Sequence, residues 1–367
     1  MKFFDIDQQY LTIRKELLRK IDSTFRRGDF ILGQDVREFE KEFAKFCNTK
    51  YAIGLNSGTD ALFLSLKALG IRKGNEVIVP AFTFIATSFA VNYTGARPVF
   101  VDVDRRTYNI DAGKIEKAIT KKTKAIIPVH LFGLCADMPT ILKIAKKHKL
   151  FVVEDAAQAH GAKINNVSSG SMGDFGCFSF YPTKNLGAFG DAGLITTNSS
   201  SLYKIMLKLR DCGREKERYL HPMIGYNSRL DNIQALILKL KLKYIDQWTE
   251  KRIDNAKLYH NLLKDAQGVG LPETPNKYKH VFHAFSILTT KRKVLINKFR
   301  ENNIPYSVFY QLPLHLQEAN KQLGYKKGDF PIAEQISKDI ISLPIHPSLT
   351  AADIKKVATT IKEVHNG

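Results

Sequence analysis

The chain has 367 residues, 44% of them hydrophobic and 25% charged, with 56 basic against 36 acidic side chains and a net charge of +20. That length exceeds what one ordinary core supports, and the composition is that of a globular protein, not a disordered or fibrous one. The lysines are scattered over helical segments such as 141–150 and 201–209; with no arm or stripe, the expectation is a solvated basic surface and no nucleic-acid partner.

The N-terminal MKFFDIDQQY puts Asp5 and Asp7 where a signal peptide needs an apolar core, so no secretory signal is read. Residues 10–25 and 36–46 predict helices; in the second, Val36, Phe39, Phe43 and Phe46 recur at helical spacing. Residues 51–56 form a short apolar strand that runs through Ser57-Gly58-Thr59-Asp60 into a helix over 61–69. Strands over 76–79, 98–103, 125–129 and 151–154 then alternate with helices over 85–93, 111–119 and 138–148. Strands rich in Val and Ile between amphipathic helices predict a mostly parallel sheet covered on both faces. The longest uncharged run, 77–96, holds Pro80, Asn92 and Gly95 and reads as strand, loop and helix start, not as a membrane span.

Strands over 176–180 and 193–197 complete this part. One long connector helix is expected over 232–258, followed by helices over 291–302 and 330–340 and strands over 284–288 and 341–343. The division predicted is a large domain over 1–240, with an N-terminal helical segment, and a smaller α+β domain over 241–367. Cys47, Cys135, Cys177 and Cys212 form no C-x-x-C pair and no zinc-ligand spacing, so buried reduced thiols of a cytosolic protein are expected and no metal site.

Three segments carry candidate chemistry. Asn56-Ser57-Gly58-Thr59-Asp60 turns from strand to helix, where free N–H groups at the positive helix end suit an anion; an ordinary helix cap accounts for the same residues. The segment has neither the G-x-G-x-x-G of a dinucleotide site, which disfavours a nicotinamide dehydrogenase, nor a P-loop. Phe151-Val152-Val153 ends in Glu154-Asp155 at the carboxyl end of a strand, where ligands of open sheets gather. Strand alternation lets only one of the two acids face a site, and Asp155 as the cap of a following helix is the other reading. Such an acid can hold a proton on a ring nitrogen, and in the following Ala156-Ala157-Gln158-Ala159-His160 the side chain of Gln158 could donate to a ring oxygen, with His160 in a supporting place. Lys184 follows the apolar strand over 176–180 among aromatic and small residues, a setting that can lower a lysine's pKa and yield the neutral amine of Schiff-base chemistry; an ordinary surface-loop lysine accounts for the same residue.

In order and spacing, FFDIDQQY, FILGQDVREFEKEFAKF, NSGTDALFLSLKALG, VIVPAFTFIATSFAV, GARPVFVDVD, PVHLFG, VEDAAQAHGA, FSFYPTKNLGAFGDAG, GYNSRLDNIQA, LPLHLQ and LSLPIHPSLT resemble the DegT/DnrJ/EryC1/StrS family of sugar aminotransferases over nearly the whole chain. The resemblance implies an α/β fold of fold type I (aspartate aminotransferase-like) and pyridoxal 5'-phosphate as cofactor. It implies Lys184 as the Schiff-base lysine and proton carrier and Asp155 as the partner of the pyridinium nitrogen. Gln158 is implied at the ring hydroxyl, Gly58, Thr59 and Ser179 at the phosphate, and Phe84 stacked on the ring. Asn227 is implied as a phosphate contact reaching over from the partner subunit of a homodimer. Arg229 is a candidate anchor for a carboxylate of the amino donor, and Tyr181, Tyr310 and His315 are candidate substrate contacts.

The activity implied is transfer of an amino group from an amino acid, L-glutamate by the family pattern, to a keto sugar linked to a nucleotide. Relatives acting as sugar dehydratases carry histidine where this chain has Lys184, which favours transamination. The wording of SGTDALFLSLKALG and PAFTFIATSFA is similar to members that aminate C-3, and a dTDP-linked 3-keto-6-deoxyhexose is the expected acceptor. C-4 amination of a UDP- or GDP-linked sugar, or a non-catalytic binding protein that kept the fold, are the alternatives.

Overall fold

The computed structural model describes residues 1–215 and 219–366. The chain opens with helices α1 (Ile6–Arg27) and α2 (Gln34–Cys47), then alternates strictly: β1 (Tyr51–Leu55), α3 (Gly58–Ala68), β2 (Glu76–Pro80), α4 (Ala86–Tyr93), β3 (Arg97–Val101), α5 (Ala112–Ala118), β4 (Thr123–Ile126), α6 (Met138–His148) and β5 (Phe151–Asp155). Two short strands, β6 (Lys163–Ile164) and β7 (Val167–Ser168), precede β8 (Phe175–Ser179), β9 (Gly193–Thr197) and α7 (Ser200–Leu209). Then come α8 (Asn232–Leu242), α9 (Ile245–Leu263), β10 (Val269–Gly270), β11 (Tyr278–Lys279), β12 (Phe285–Thr289), α10 (Arg292–Glu301), α11 (Pro331–Asp339), β13 (Ile340–Leu343) and α12 (Ala351–Asn366).

The main sheet has seven strands in the order β1-β9-β8-β5-β4-β2-β3. Only β9 runs against the rest, pairing antiparallel with both β1 and β8. Alternation along the strands supplies two apolar faces. Val77, Val79, Ala125 and Val153 pack on one side with Leu62, Leu64 and Val91. Ile78, Ile126 and Val152 pack on the other with Phe39, Phe43 and Ile141. Both faces are covered, so these strands read as nearly continuous hydrophobic runs, as parallel strands must.

The single connector helix expected over 232–258 is instead two. A turn at Lys243 and Tyr244 interrupts it, with Tyr244 at φ −111° before α9 begins. The break lets the chain change cores. In α8, Leu236, Ile237 and Leu240 pack on Ile13 and Leu17 of α1. In α9, Ala256, Tyr259 and Leu263 join a separate cluster with Phe285, Leu295, Ile341 and Ile354. That cluster surrounds the antiparallel sheet β10-β12-β13 and is closed by α12, a helix the sequence reading left unassigned. Among the described residues no helix is long and apolar enough to cross a membrane. Three cysteines are buried, but Cys212 is exposed: it sits in a turn with φ +57° beside Gly213, away from both sheet faces.

Candidate active site

A cavity of about 590 Å³ opens at the carboxyl ends of the parallel strands, where open α/β sheets gather ligands. Its lining includes Gly58, Thr59, Phe84, Asp155, Gln158, Ser179, Tyr181, Lys184 and Tyr310. The structure therefore brings together nine of the twelve residues singled out in the sequence.

The first wall is the start of α3. Ser57 caps the helix by accepting from the N–H of Asp60 at 3.1 Å, which leaves the first N–H groups of the helix pointing out of its positive end. The turn is pressed hard against the sheet. A Cβ on Gly58 would lie 2.6 Å from Cβ of Ser179, and one on Gly193 would lie 2.2 Å from the Ser57 carbonyl. Only glycine at both positions lets this helix start reach the end of β8, and the product is a cradle of backbone N–H groups and the Thr59 and Ser179 hydroxyls.

The second wall is the end of β5, where the adjacent acids face opposite ways. Glu154 points away from the cavity and accepts from His130 Nε2 at 2.8 Å and from the backbone N–H groups of Gly170, Met172 and Gly173 at 2.8, 2.7 and 2.7 Å. Asp155 faces the cavity and, among the described residues, receives only the Thr87 hydroxyl at 2.8 Å and the Ala157 N–H at 3.2 Å. Burial raises its carboxyl above the ordinary 3.8, and those two donors oppose the rise. A buried acid so sparsely bonded is suited to a cationic N–H group.

Lys184 supplies the nucleophile. It follows the turn Tyr181-Pro182-Thr183, closed by its own N–H onto the Tyr181 carbonyl at 2.9 Å. The loop is pinned by the Asn185 amide on the Val281 carbonyl at 2.9 Å and by Lys241 on the carbonyl of Gly187. Desolvation lowers Lys184 from 10.5 to about 8, with Asp155 offsetting part of the drop. A large share of its amine is thus neutral near pH 8, as condensation with a carbonyl requires.

Gln158 accepts from the Phe132 N–H at 2.8 Å and donates to Tyr310 Oη at 3.1 Å. It retains a second amide hydrogen for a ligand. Phe84 is exposed over the cavity, its ring 6.0 Å from that of Tyr310. His160 does not line the cavity; its ring packs on Phe178 and Phe180 at 5.5 and 5.4 Å.

Three expected site residues lie outside this chain's cavity. Asn227 is exposed, bridged to Asp211. Arg229 is held by Asp211 at 3.0 Å. His315 is tied to Glu334 at 3.0 Å and packs against Phe330, so a substrate contact at His315 is not met in this cavity. Conversely, Phe4, Thr87, Thr183, Asp191, His283 and Phe309 line it without having been singled out. Thr87, one of three hydroxyls between Thr83 and Ser88, carries no signal of its own; Phe4 and His283 come from distant chain segments that spacing does not connect.

These groups fit pyridoxal phosphate: a cradle that glycine alone permits would take the phosphate, the under-bonded acid the ring nitrogen, and the lysine with a lowered pKa the aldehyde carbon. Fold and cavity together define a fold-type-I enzyme that works through a lysine-bound pyridoxal cofactor. The model of the DegT/DnrJ/EryC1/StrS aminotransferase family matches residues 11–362, and the chain belongs to that family of pyridoxal-phosphate-dependent sugar aminotransferases. It is 45% identical to a protein of Geobacillus stearothermophilus named as a pleiotropic regulatory protein, across 98% of this chain and 97% of that one. It is 43% identical to the UDP-N-acetyl-3-dehydro-alpha-D-glucosamine 3-aminotransferase of Acidithiobacillus ferrooxidans, across 99% and 97%. The solved structure of DesV from S. venezuelae superposes with a TM-score of 0.96 at 39% identity, across 99% of this chain and 97% of that one. Other relatives are named for dTDP-, UDP- and GDP-linked sugars, and the general reaction is transamination of a nucleotide-linked sugar.

Proposed function

We propose that the protein moves an amino group from L-glutamate to C-3 of a dTDP-linked 3-keto-6-deoxyhexose. The observation that carries the reading is Lys184, its pKa lowered to about 8, in one cavity with Asp155 and the Gly58–Ser179 cradle. The bound cofactor supplies an electron sink for the carbanion left when the donor loses its Cα proton. Asp155 would hold the proton on the ring nitrogen. Lys184 would hold the cofactor at its aldehyde carbon and, as a free amine, would take up and return the donor's Cα proton. Gly58, Thr59 and Ser179 would hold the phosphate, Gln158 the ring hydroxyl and Phe84 the ring, and Tyr181 and Tyr310 would contact substrate. Residues 1–240 would hold the cofactor and 241–367 form the smaller domain.

A cytoplasmic homodimer completes the proposal. Supporting it, Leu11, Leu18 and Phe25 of α1 and Phe30 and Ile31 just beyond it are exposed, as is Ile224 near Asn227, and exposed apolar surface of this kind marks contact sites. Asn227 would reach the partner's phosphate and Arg229 a donor carboxylate there. Asn227→Ala should then weaken cofactor retention in an intact dimer; full retention would remove the cross-subunit role. The relative named for a UDP sugar at C-3 favours UDP as the second choice of nucleotide.

The test is the visible spectrum of the protein with pyridoxal phosphate, before and after glutamate, for wild type and Lys184→Ala. The wild type should show a lysine-linked band that glutamate bleaches and the variant no such band. Keto-sugar nucleotides are then screened for return of the band. A wild type with no band moves the non-catalytic reading to first place.

A further inference from the structure

Residues 2–5 lead into α1 with no helix or strand of their own, and a segment of that kind frays unless it is tied down. This strap is tied at both ends. His346 Nε2 donates to the Lys2 carbonyl at 3.1 Å, and the Ser348 hydroxyl donates to Asp5 at 2.7 Å. Both anchors lie in the loop between β13 and α12, and His346 Nδ1 stands 3.0 Å from Ser348 Oγ, which joins them. His346 is itself buried, and its carbonyl accepts from the Asn255 amide of α9 at 3.0 Å.

Between the anchors the strap carries two adjacent rings. Phe3 meets Phe309 edge-on at 6.0 Å, and Phe4 stacks on His283 at 6.4 Å with 22° between planes. Phe4, His283 and Phe309 line the same cavity as Lys184. The anchor loop and the stacking partner of Phe4 are also fixed to each other. The buried Arg252 donates to the carbonyls of Phe282 and Ile345 at 3.3 and 3.4 Å, the residues just before His283 and His346. The strap therefore lies on a surface that does not depend on it, and the hydrogen bonds from His346 and Ser348 set where Phe4 sits. That place bears on retention. Lys184 can bond covalently only to the aldehyde form of the cofactor. The aminated form has no carbonyl to condense with, so the cavity walls alone keep it.

We propose that His346 and Ser348 are positioning residues of the aminotransferase: by clasping the strap they seat Phe4 in the cavity wall, and Phe4 retains the aminated cofactor while donor is exchanged for acceptor. The inference rests on the pyridoxal-phosphate reading of the cavity and is independent of which sugar accepts the amino group.

The experiment loads the full-length enzyme with pyridoxamine phosphate and times its release after dilution, by the fluorescence of the free compound. Wild type is compared with His346→Leu, Ser348→Ala, Phe4→Ala and the double variants that include Phe4→Ala. His346→Leu and Phe4→Ala should each speed release on the order of 10-fold, and Ser348→Ala, at an exposed position, about 3-fold. His346→Gln, whose amide can donate to the Lys2 carbonyl, should restore most of the wild-type rate. Adding Phe4→Ala to either anchor variant should bring little beyond Phe4→Ala alone, because the anchors act through that ring. Urea midpoints near wild type separate these effects from a general loss of fold. Should His346→Leu fail to fold, Ser348→Ala, which removes only a surface hydroxyl, gives the same reading. Wild-type release from Phe4→Ala and Ser348→Ala overturns the clasp and shows that other walls, a second copy of the chain included, retain the cofactor. Factors that multiply in the double variants overturn it as well, and either result leaves the aminotransferase standing. A wild type with no lysine-linked band in pyridoxal phosphate overturns the cofactor reading, and the clasp falls with it.

Discussion

Thr87 Oγ1 donates to Asp155 Oδ2 at 2.8 Å, joining the first turn of α4 to the end of β5 inside the cavity. The hydroxyl favours the ionised form of a buried carboxyl, opposing the desolvation that raises its pKa. Among the described residues Asp155 has only one other donor, the Ala157 N–H, so the loss of Thr87 is not made up by a neighbour. A hydrogen bond to a charged group contributes roughly 1.5–3 kcal/mol. Thr87→Val is expected to lower cofactor affinity and turnover by about 10-fold or more, with Thr87→Ser close to wild type. Titration of the visible band and steady-state rates check this; a Val variant with wild-type values of both would remove the hydroxyl from the site's electrostatics.

One residue away, a substitution should read out differently. Glu154 is buried and accepts three backbone N–H groups and His130. Glu154→Gln replaces an acceptor oxygen with an NH₂ that faces donors. Breaking a buried charged network of this kind costs on the order of 3 kcal/mol. Chemical denaturation should show that loss, whereas Asp155→Ala should unfold near the wild-type midpoint but lose most turnover. If the two profiles were interchanged, the assignment of the two faces of β5 would be wrong.

The pH dependence of cofactor capture follows from Lys184. Its pKa in the fold is lowered from 10.5 to about 8, so the reactive neutral amine grows about tenfold per unit as pH rises toward 8 and levels off above it. Stopped-flow mixing of apoprotein with pyridoxal phosphate from about pH 6 to about pH 10 should show the rate bending near pH 8. A rate still climbing in proportion up to the ordinary lysine pKa of 10.5 would mean that Lys184 is not desolvated.

Much of this was legible before any coordinates. The alternation of Val/Ile strands with amphipathic helices located the parallel sheet because both its faces are buried. The Gly58, Asp155 and Lys184 segments were legible because each binds its own chemistry to a local turn or strand end. What stayed hidden depends on contacts between distant segments. The break at Tyr244 reflects a change of core partner that a continuous run of helix formers does not announce. Thr87 matters only because α4 lies beside β5, and Phe4 only because His346 and Ser348, more than 340 positions away, hold the strap in place. His315 was named through the family resemblance alone, and its tie to Glu334 on α11 depends on a contact that local spacing does not announce.

Lys241 provides a test of a different kind. It is fully buried on α8 with no ion pair among the described residues; its ammonium meets the Gly187 carbonyl, three residues after Lys184, and lies 5.2 Å from the centre of the Phe189 ring. Desolvation lowers it from 10.5 to about 7. Between those values the unfolded chain binds a proton that the folded chain does not, so this residue makes folding stability rise with pH from about 7 to 10.5. Below about pH 7 both states are protonated and the full penalty of the buried charge is present. Lys241→Met should remove one proton's worth of that slope, at most about 1.4 kcal/mol per pH unit, and should be more stable than wild type at neutral pH. The gain is reduced by about 1 kcal/mol for the lost hydrogen bond. The same substitution frees the Gly187 end of the Lys184 loop, so cofactor affinity should fall even as the fold gains stability. Urea titrations at pH values spanning the window, paired with cofactor titrations, separate the two effects. An unchanged slope would show Lys241 to be charged in the fold, and unchanged cofactor affinity would show that Asn185 alone holds the loop.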